Sequence, residues 1–125
     1  MCSLPCESGA IMLYIADVSG SLPTPEARGA AASWVLWANA TMWPALEGSG
    51  GKCNLDNLFG PVDTILGKQQ WLLGDKLSVA DVAVASYIKY AQLFFKVRVT
   101  AFPNVVRYMA DVEKRESFKK TVGGG

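Results

Sequence analysis

Between residues 71 and 95 the pattern of apolar and polar positions changes abruptly. Trp71, Leu72 and Leu73 are apolar, Gly74-Asp75 is a turn signal, and Val79–Phe95 is apolar on nearly every side. Ser78 stands where a helix would start, with Asp81 at the third helical position. The Ser hydroxyl can accept the backbone N–H of Asp81 while the carboxylate reaches back to the N–H of Ser78. That is a capping box with Asp in place of the more usual Glu. Leu77 and Val82 flank the cap at the spacing of a hydrophobic staple. A helix apolar all round is predicted to be central to the fold.

The same reading places the other elements. Residues 8–16 form a short apolar helix with Ser8 as its N-cap. Residues 17–23 are a linker. Thr24 caps a second helix, with Pro25 in its first position and Glu26 at its positive end. That helix is predicted to run to about Trp43, because Trp34, Trp37 and Thr41, and also Leu36, Ala40 and Trp43, recur at helical spacing. The Gly-rich stretch 47–52 reads as a flexible connection. Leu55, Leu58, Phe59, Val62, Ile65 and Leu66 give an amphipathic helix ending near Gly67. Residues 97–100 are loop, and Pro103 restarts a helix whose apolar face is Val105, Val106, Tyr108, Met109 and Val112. A last turn surrounds Phe118, before a tail of Gly123, Gly124 and Gly125. No alternation of period two survives for more than a few residues. The expected fold is therefore an all-α helical bundle of five to six helices.

A chain of 125 residues, half of them apolar, is enough for one domain with a real core. The net charge of +1 makes no electrostatic case for nucleic acid. The basic cluster Lys114–Lys120 is mixed with Glu116 and reads as a solvated helix end. There is no histidine, which removes the commonest general base and metal ligand. Cys2, Cys6 and Cys53 lack metal spacing, and nothing beside Cys6 would activate a thiol. No basic segment precedes the first apolar run, which Glu7 interrupts, so it does not read as a secretory signal. The run 79–95 is too short to span a bilayer. A cytoplasmic, reducing location and no membrane contact are expected.

Four motifs, in this order, carry a family resemblance. Glu7-Ser8-Gly9-Ala10-Ile11 resembles a Glu-Ser-x-Ala-Ile segment of the glutathione transferases. Thr24-Pro25-Glu26 through Trp34 resembles the first helix of their C-terminal domain. Ser78-Val79-Ala80-Asp81 resembles their capping box, and Phe102 through Tyr108 the start of the following helix. The resemblance implies that residues 1–16 are the remnant of the end of a thioredoxin-like domain (its last helix), that 17–23 are linker and that 24–122 are the helical domain. In that family the residues matching Glu7 and Ser8 hold the γ-glutamyl end of glutathione, and the thioredoxin-like domain holds the catalytic side chain. Only six residues precede Glu7, so the thioredoxin-like domain is expected to be missing. No catalytic residue, metal or cofactor is then expected, and glutathione only if a thioredoxin-like domain is supplied.

Trp34–Leu46 and Ala101–Tyr108 are also similar to the gamma subunit of eukaryotic elongation factor 1 and to domains appended to aminoacyl-tRNA synthetases. This implies a non-catalytic protein–protein interaction module, with a translation factor or synthetase subunit, or a second copy, as partner. The alternative is the substrate-pocket part of a glutathione transferase. Trp34, Trp37, Trp43, Phe94 and Phe95 are candidates for an apolar pocket or interface. The expected docking surface is formed by Trp34–Trp43 and Val105–Val112. Asp81 is read as a structural cap and not as a catalytic carboxylate.

Overall fold

The computed structural model describes residues 7–121. Cys2, Cys6 and the Gly123–Gly125 tail lie outside the described residues. Within them the chain forms helices α1 (Ser8–Val18), α2 (Pro25–Trp37), α3 (Trp43–Ser49), α4 (Leu55–Leu66), α5 (Val79–Phe95), α6 (Pro103–Glu113) and α7 (Glu116–Lys120). A π-helical turn, Ala38–Met42, joins α2 to α3, so 25–49 is one continuous rod and the described bundle has six rods. Among the described residues there is no strand, only an isolated bridge between Trp71 and Gly74 in the turn before α5. The all-α bundle expected from the sequence is what the chain forms.

Several boundaries differ from expectation, each for a local reason. The N-cap of α1 is Glu7, whose carbonyl accepts the N–H of Ile11 at 2.9 Å. Ser8 is therefore already inside the helix, and it does not cap it. Thr24 does cap α2, its hydroxyl accepting the N–H of Ala27 at 3.0 Å. The second rod passes Trp43 and ends at Ser49. Pro44 has no N–H to donate, and its ring would strike the carbonyl four residues back in a regular α-helix. The π turn widens the rod just ahead of it, with the Trp43 N–H bonding Ala38 five residues back.

The stretch 47–52 is not a free connection. Glu47–Ser49 is helical, Gly50 adopts φ 63°, and Gly51 donates to Leu46 at 2.8 Å. This is a Schellman ending. A Cβ on Gly51 would lie 2.8 Å from Phe95 Cβ, so the turn is pressed against the end of α5.

The centre of the bundle is α5. Ala80, Ala83, Val84, Ala85, Ile88 and Ala91 are buried, and the run of alanines lets the α2 rod approach closely. Its burial is not all-round as expected, since Val82, Leu93 and Phe94 are exposed. On α6, Val105, Tyr108, Met109 and Val112 are buried, while Val106 faces out.

The α4–α6 pair is tied at both ends. Asp63 on α4 accepts the N–H groups of Asn104 at 2.8 Å and Val105 at 3.1 Å, satisfying the open N-terminus of α6. In return Arg107 on α6 donates to the carbonyls of Leu66 at 2.8 Å, Gln69 at 3.3 Å and Gln70 at 3.0 Å, closing the C-terminal end of α4.

Candidate functional site

Asp81 is fully buried, and each of its oxygens is taken twice. One accepts the N–H of Leu72 at 3.0 Å and the hydroxyl of Tyr108 at 3.0 Å. The other accepts the N–H of Ser78 at 2.9 Å and the Ser78 hydroxyl at 3.3 Å. The capping box is complete, and Ser78 Oγ also accepts from Ala80 at 3.2 Å. Burial, then the charge of Asp81, then their hydrogen bond hold the Tyr108 phenol well above its ordinary pKa, against a smaller lowering by Arg107. The carboxylate thus joins the turn before α5, the α5 cap and α6. With four donors in place it has no open side for a substrate. Leu77 and Val82, spaced for a staple, both line a cavity of about 290 Å³ between α5 and α7.

The five aromatic candidates fall into two groups. Trp34 and Trp37 pack edge to face at 5.7 Å and line a groove of about 230 Å³ against Leu58, Pro61 and Val62 of α4. Trp43 belongs elsewhere. It stacks on Tyr87 at 5.1 Å and meets Phe95 at 5.7 Å, while Phe94 stacks outside on Tyr90 and is 67% exposed. No single pocket holds all five. The expected docking face at Val105–Val112 is also corrected, since Val105, Tyr108, Met109 and Val112 are core.

Among the described residues an exposed apolar stripe runs along α1. Ile11, Tyr14, Ile15 and Val18 are 39, 56, 57 and 67% exposed and recur at i, i+3, i+4 and i+7, which is one helix stripe. The inner side of α1 is seated through Gly9. A Cβ there would lie 2.7 Å from Asn39 Nδ2 and 2.9 Å from Val35 Cγ1. Asn39, in the π turn, donates to the carbonyl of Val35 at 2.8 Å and accepts the Tyr87 hydroxyl at 2.5 Å. Glu7 and Ser8 are exposed at the N-terminus of α1, where the Glu7 side chain makes no capping bond. The period of the stripe is visible in the sequence, but nothing there says which face of so apolar a helix is left open.

Among the described residues no group of three His, Cys, Asp or Glu could hold a metal ion. No helix among them is long and apolar enough to cross a membrane. Cys53, in the turn before α4, is a half-buried free thiol.

Six helical rods in this order, with a buried capping box at the head of the central one, define the helical domain of the transferase type. The family model for the glutathione S-transferase C-terminal domain matches residues 52–120, and the chain belongs to this family. It is 29% identical to glutathione S-transferase GstB of Escherichia coli K12 over 93% of this chain and 66% of the relative. It is 24% identical to elongation factor 1-gamma of Rattus norvegicus over 94% of this chain and 31% of that protein. A crystal structure of a glutathione transferase from Burkholderia graminis, with two glutathione molecules bound per subunit, superposes with a TM-score of 0.80 at 25% identity. It covers 94% of this chain and 59% of that one. The chain therefore spans just under two thirds of the first of these relatives and less of the others.

Proposed function

We infer that this chain is a protein–protein docking domain that does not carry conjugating chemistry in its own side chains. The observation that carries the reading is the α1 stripe, four large apolar residues left 39, 56, 57 and 67% exposed on one helix face. Among the described residues the only fully buried carboxylate is closed by its own donors, and the chain contains no histidine to act as base. The likeness to elongation factor 1-gamma supports a place in a translation assembly, and the free Cys53 accords with the reducing cytoplasm.

A second reading, the helical part of a working glutathione transferase, is favoured by one feature. Among the described residues no side chain caps the N-terminus of α1, and it carries Glu7 and Ser8 where the family resemblance puts the γ-glutamyl contact. Free N–H groups at a helix start suit a carboxylate. Glutathione would then be the substrate, held jointly with a thioredoxin-like partner.

The test is glutathione conjugation to a chloronitrobenzene. It is assayed for the chain alone, for the chain mixed with the part of the Escherichia coli relative that it does not span, and for the chain mixed with elongation factor 1 subunits. Complex formation without conjugation supports the docking domain. Conjugation by the first mixture supports the second reading, and conjugation by the chain alone overturns the first.

A further inference from the structure

Residues 97–100 join α5 to α6, and they are built unlike the rest of this helical chain. Val97-Arg98-Val99-Thr100 alternates β-branched apolar with polar residues. The structure realises that alternation, because Val97 and Val99 are buried while Arg98 and Thr100 face solvent. Such alternation is that of a half-buried strand. The backbone of this stretch makes a bond from Val97 N–H to Ala91 at 3.2 Å and accepts one at Val99 from Phe102 at 2.9 Å. Among the described residues neither the N–H nor the carbonyl of Arg98 has a protein partner.

Beside this stretch runs an open groove of about 380 Å³, floored by Val97, Val99, Val106 and Met109. Val106 is the α6 residue that breaks the buried pattern, at 43% exposed, and it borders this groove. The charged residues lining the groove are Arg98 and Glu113, and Lys96 stands two residues before Arg98. Glu113 is already paired with Lys89 at 2.9 Å. Lys96 and Arg98 are exposed and have no ion pair among the described residues.

We propose that the irregular segment 97–99, with the unpaired backbone of Arg98, and the groove beside it dock an extended segment of a partner protein in which apolar and acidic residues alternate. The partner's backbone pairs with the N–H and carbonyl of Arg98, as in strand addition to an open edge. Its apolar side chains lie on Val106, and its carboxylates face Arg98 and Lys96. A small ligand fits less well, because so open a groove would leave most of it in water. This surface is made by α6 and the loop before it, and it does not depend on the α1 reading.

The experiment is a fluorescence-anisotropy titration of the full chain with a short labelled peptide alternating valine and glutamate. A valine–lysine peptide and a valine–glutamate peptide N-methylated at alternate residues are the controls. The acidic peptide is expected to saturate and to shift the amide resonances of 97–100 and 106–110. The lysine peptide should bind at least ~10-fold more weakly, as expected for loss of one favourable charge contact. Arg98→Glu should invert that preference, and N-methylation should abolish binding. Because Arg98 is exposed, the variant keeps its fold, which circular dichroism checks. Failure of the acidic peptide to bind, equal binding by the N-methylated form, an unchanged preference in Arg98→Glu or shifts confined to other residues would each overturn the proposal.

Discussion

The hydroxyl of Tyr108 on α6 donates to the carboxylate of Asp81 on α5 at 3.0 Å, and both side chains are fully buried. A hydrogen bond to a charged group in such a place is worth about 1.5–3 kcal/mol. Tyr108→Phe, which keeps the ring against Trp71, should lower unfolding stability in urea by about 2 kcal/mol. Asp81→Ala should cost more, about 3 kcal/mol or above, because it strands the Leu72 N–H and the Tyr108 hydroxyl and also removes half of the capping box.

The same pair sets an alkaline limit. Folding raises the Tyr108 pKa above its ordinary value of 10.0, chiefly through burial and next through the charge of Asp81. A raised folded pKa means that the phenol's contribution is complete below the unfolded value and is lost as pH climbs above it. Wild type should therefore lose stability more steeply above pH 10 than Tyr108→Phe does. Parallel curves for the two proteins would contradict this.

Gly9 is constrained by space. Gly9→Ala gains helix propensity of about 0.5–1 kcal/mol. Against that gain, its Cβ meets Asn39 at 2.7 Å and Val35 at 2.9 Å. Net destabilisation of about 1–2 kcal/mol is expected, the usual range for overpacking. Hydrogen exchange should localise it to α1. In Gly9→Ala/Asn39→Ala the two costs should sum to less than the separate effects, since removing the Asn39 amide relieves part of the clash.

Arg107 is a test of geometry against charge. Arg107→Lys keeps the cation but cannot serve the carbonyls of Leu66, Gln69 and Gln70 together. A loss of about 1–2 kcal/mol is expected in denaturant titration, with protection lost first at the end of α4.

Local patterns made much of this fold legible. The caps at Thr24 and Ser78, the restart at Pro103 and the amphipathic α4 follow from near neighbours in the chain. The features that escaped are long-range. Asp63 caps a helix 41 residues away, and Tyr108 reaches Asp81 across 27. A cap supplied by another helix leaves no mark at the residues it serves. The π turn escaped because Pro44 reads as a stop unless the helix can widen ahead of it. The aromatic residues were visible as a set, but helical spacing alone could not divide Trp34 and Trp37 from Trp43, Phe94 and Phe95. Nor could composition show that the open apolar face lies on α1 and that the one on α6 is core.

The central claim is that the α1 stripe is a docking surface. Its most direct test is an equilibrium titration of wild type and Ile15→Glu, monitored by fluorescence, with two partners: elongation factor 1 subunits, and the part of the Escherichia coli transferase that this chain does not span. Ile15 is 57% exposed, so the substitution leaves the core intact. Saturable binding by wild type to one of these partners is predicted, weakened at least ~30-fold in Ile15→Glu, the ~2 kcal/mol scale of an interface hot spot. Equal affinity of the two proteins for that partner, or no binding by wild type to either, would contradict the account.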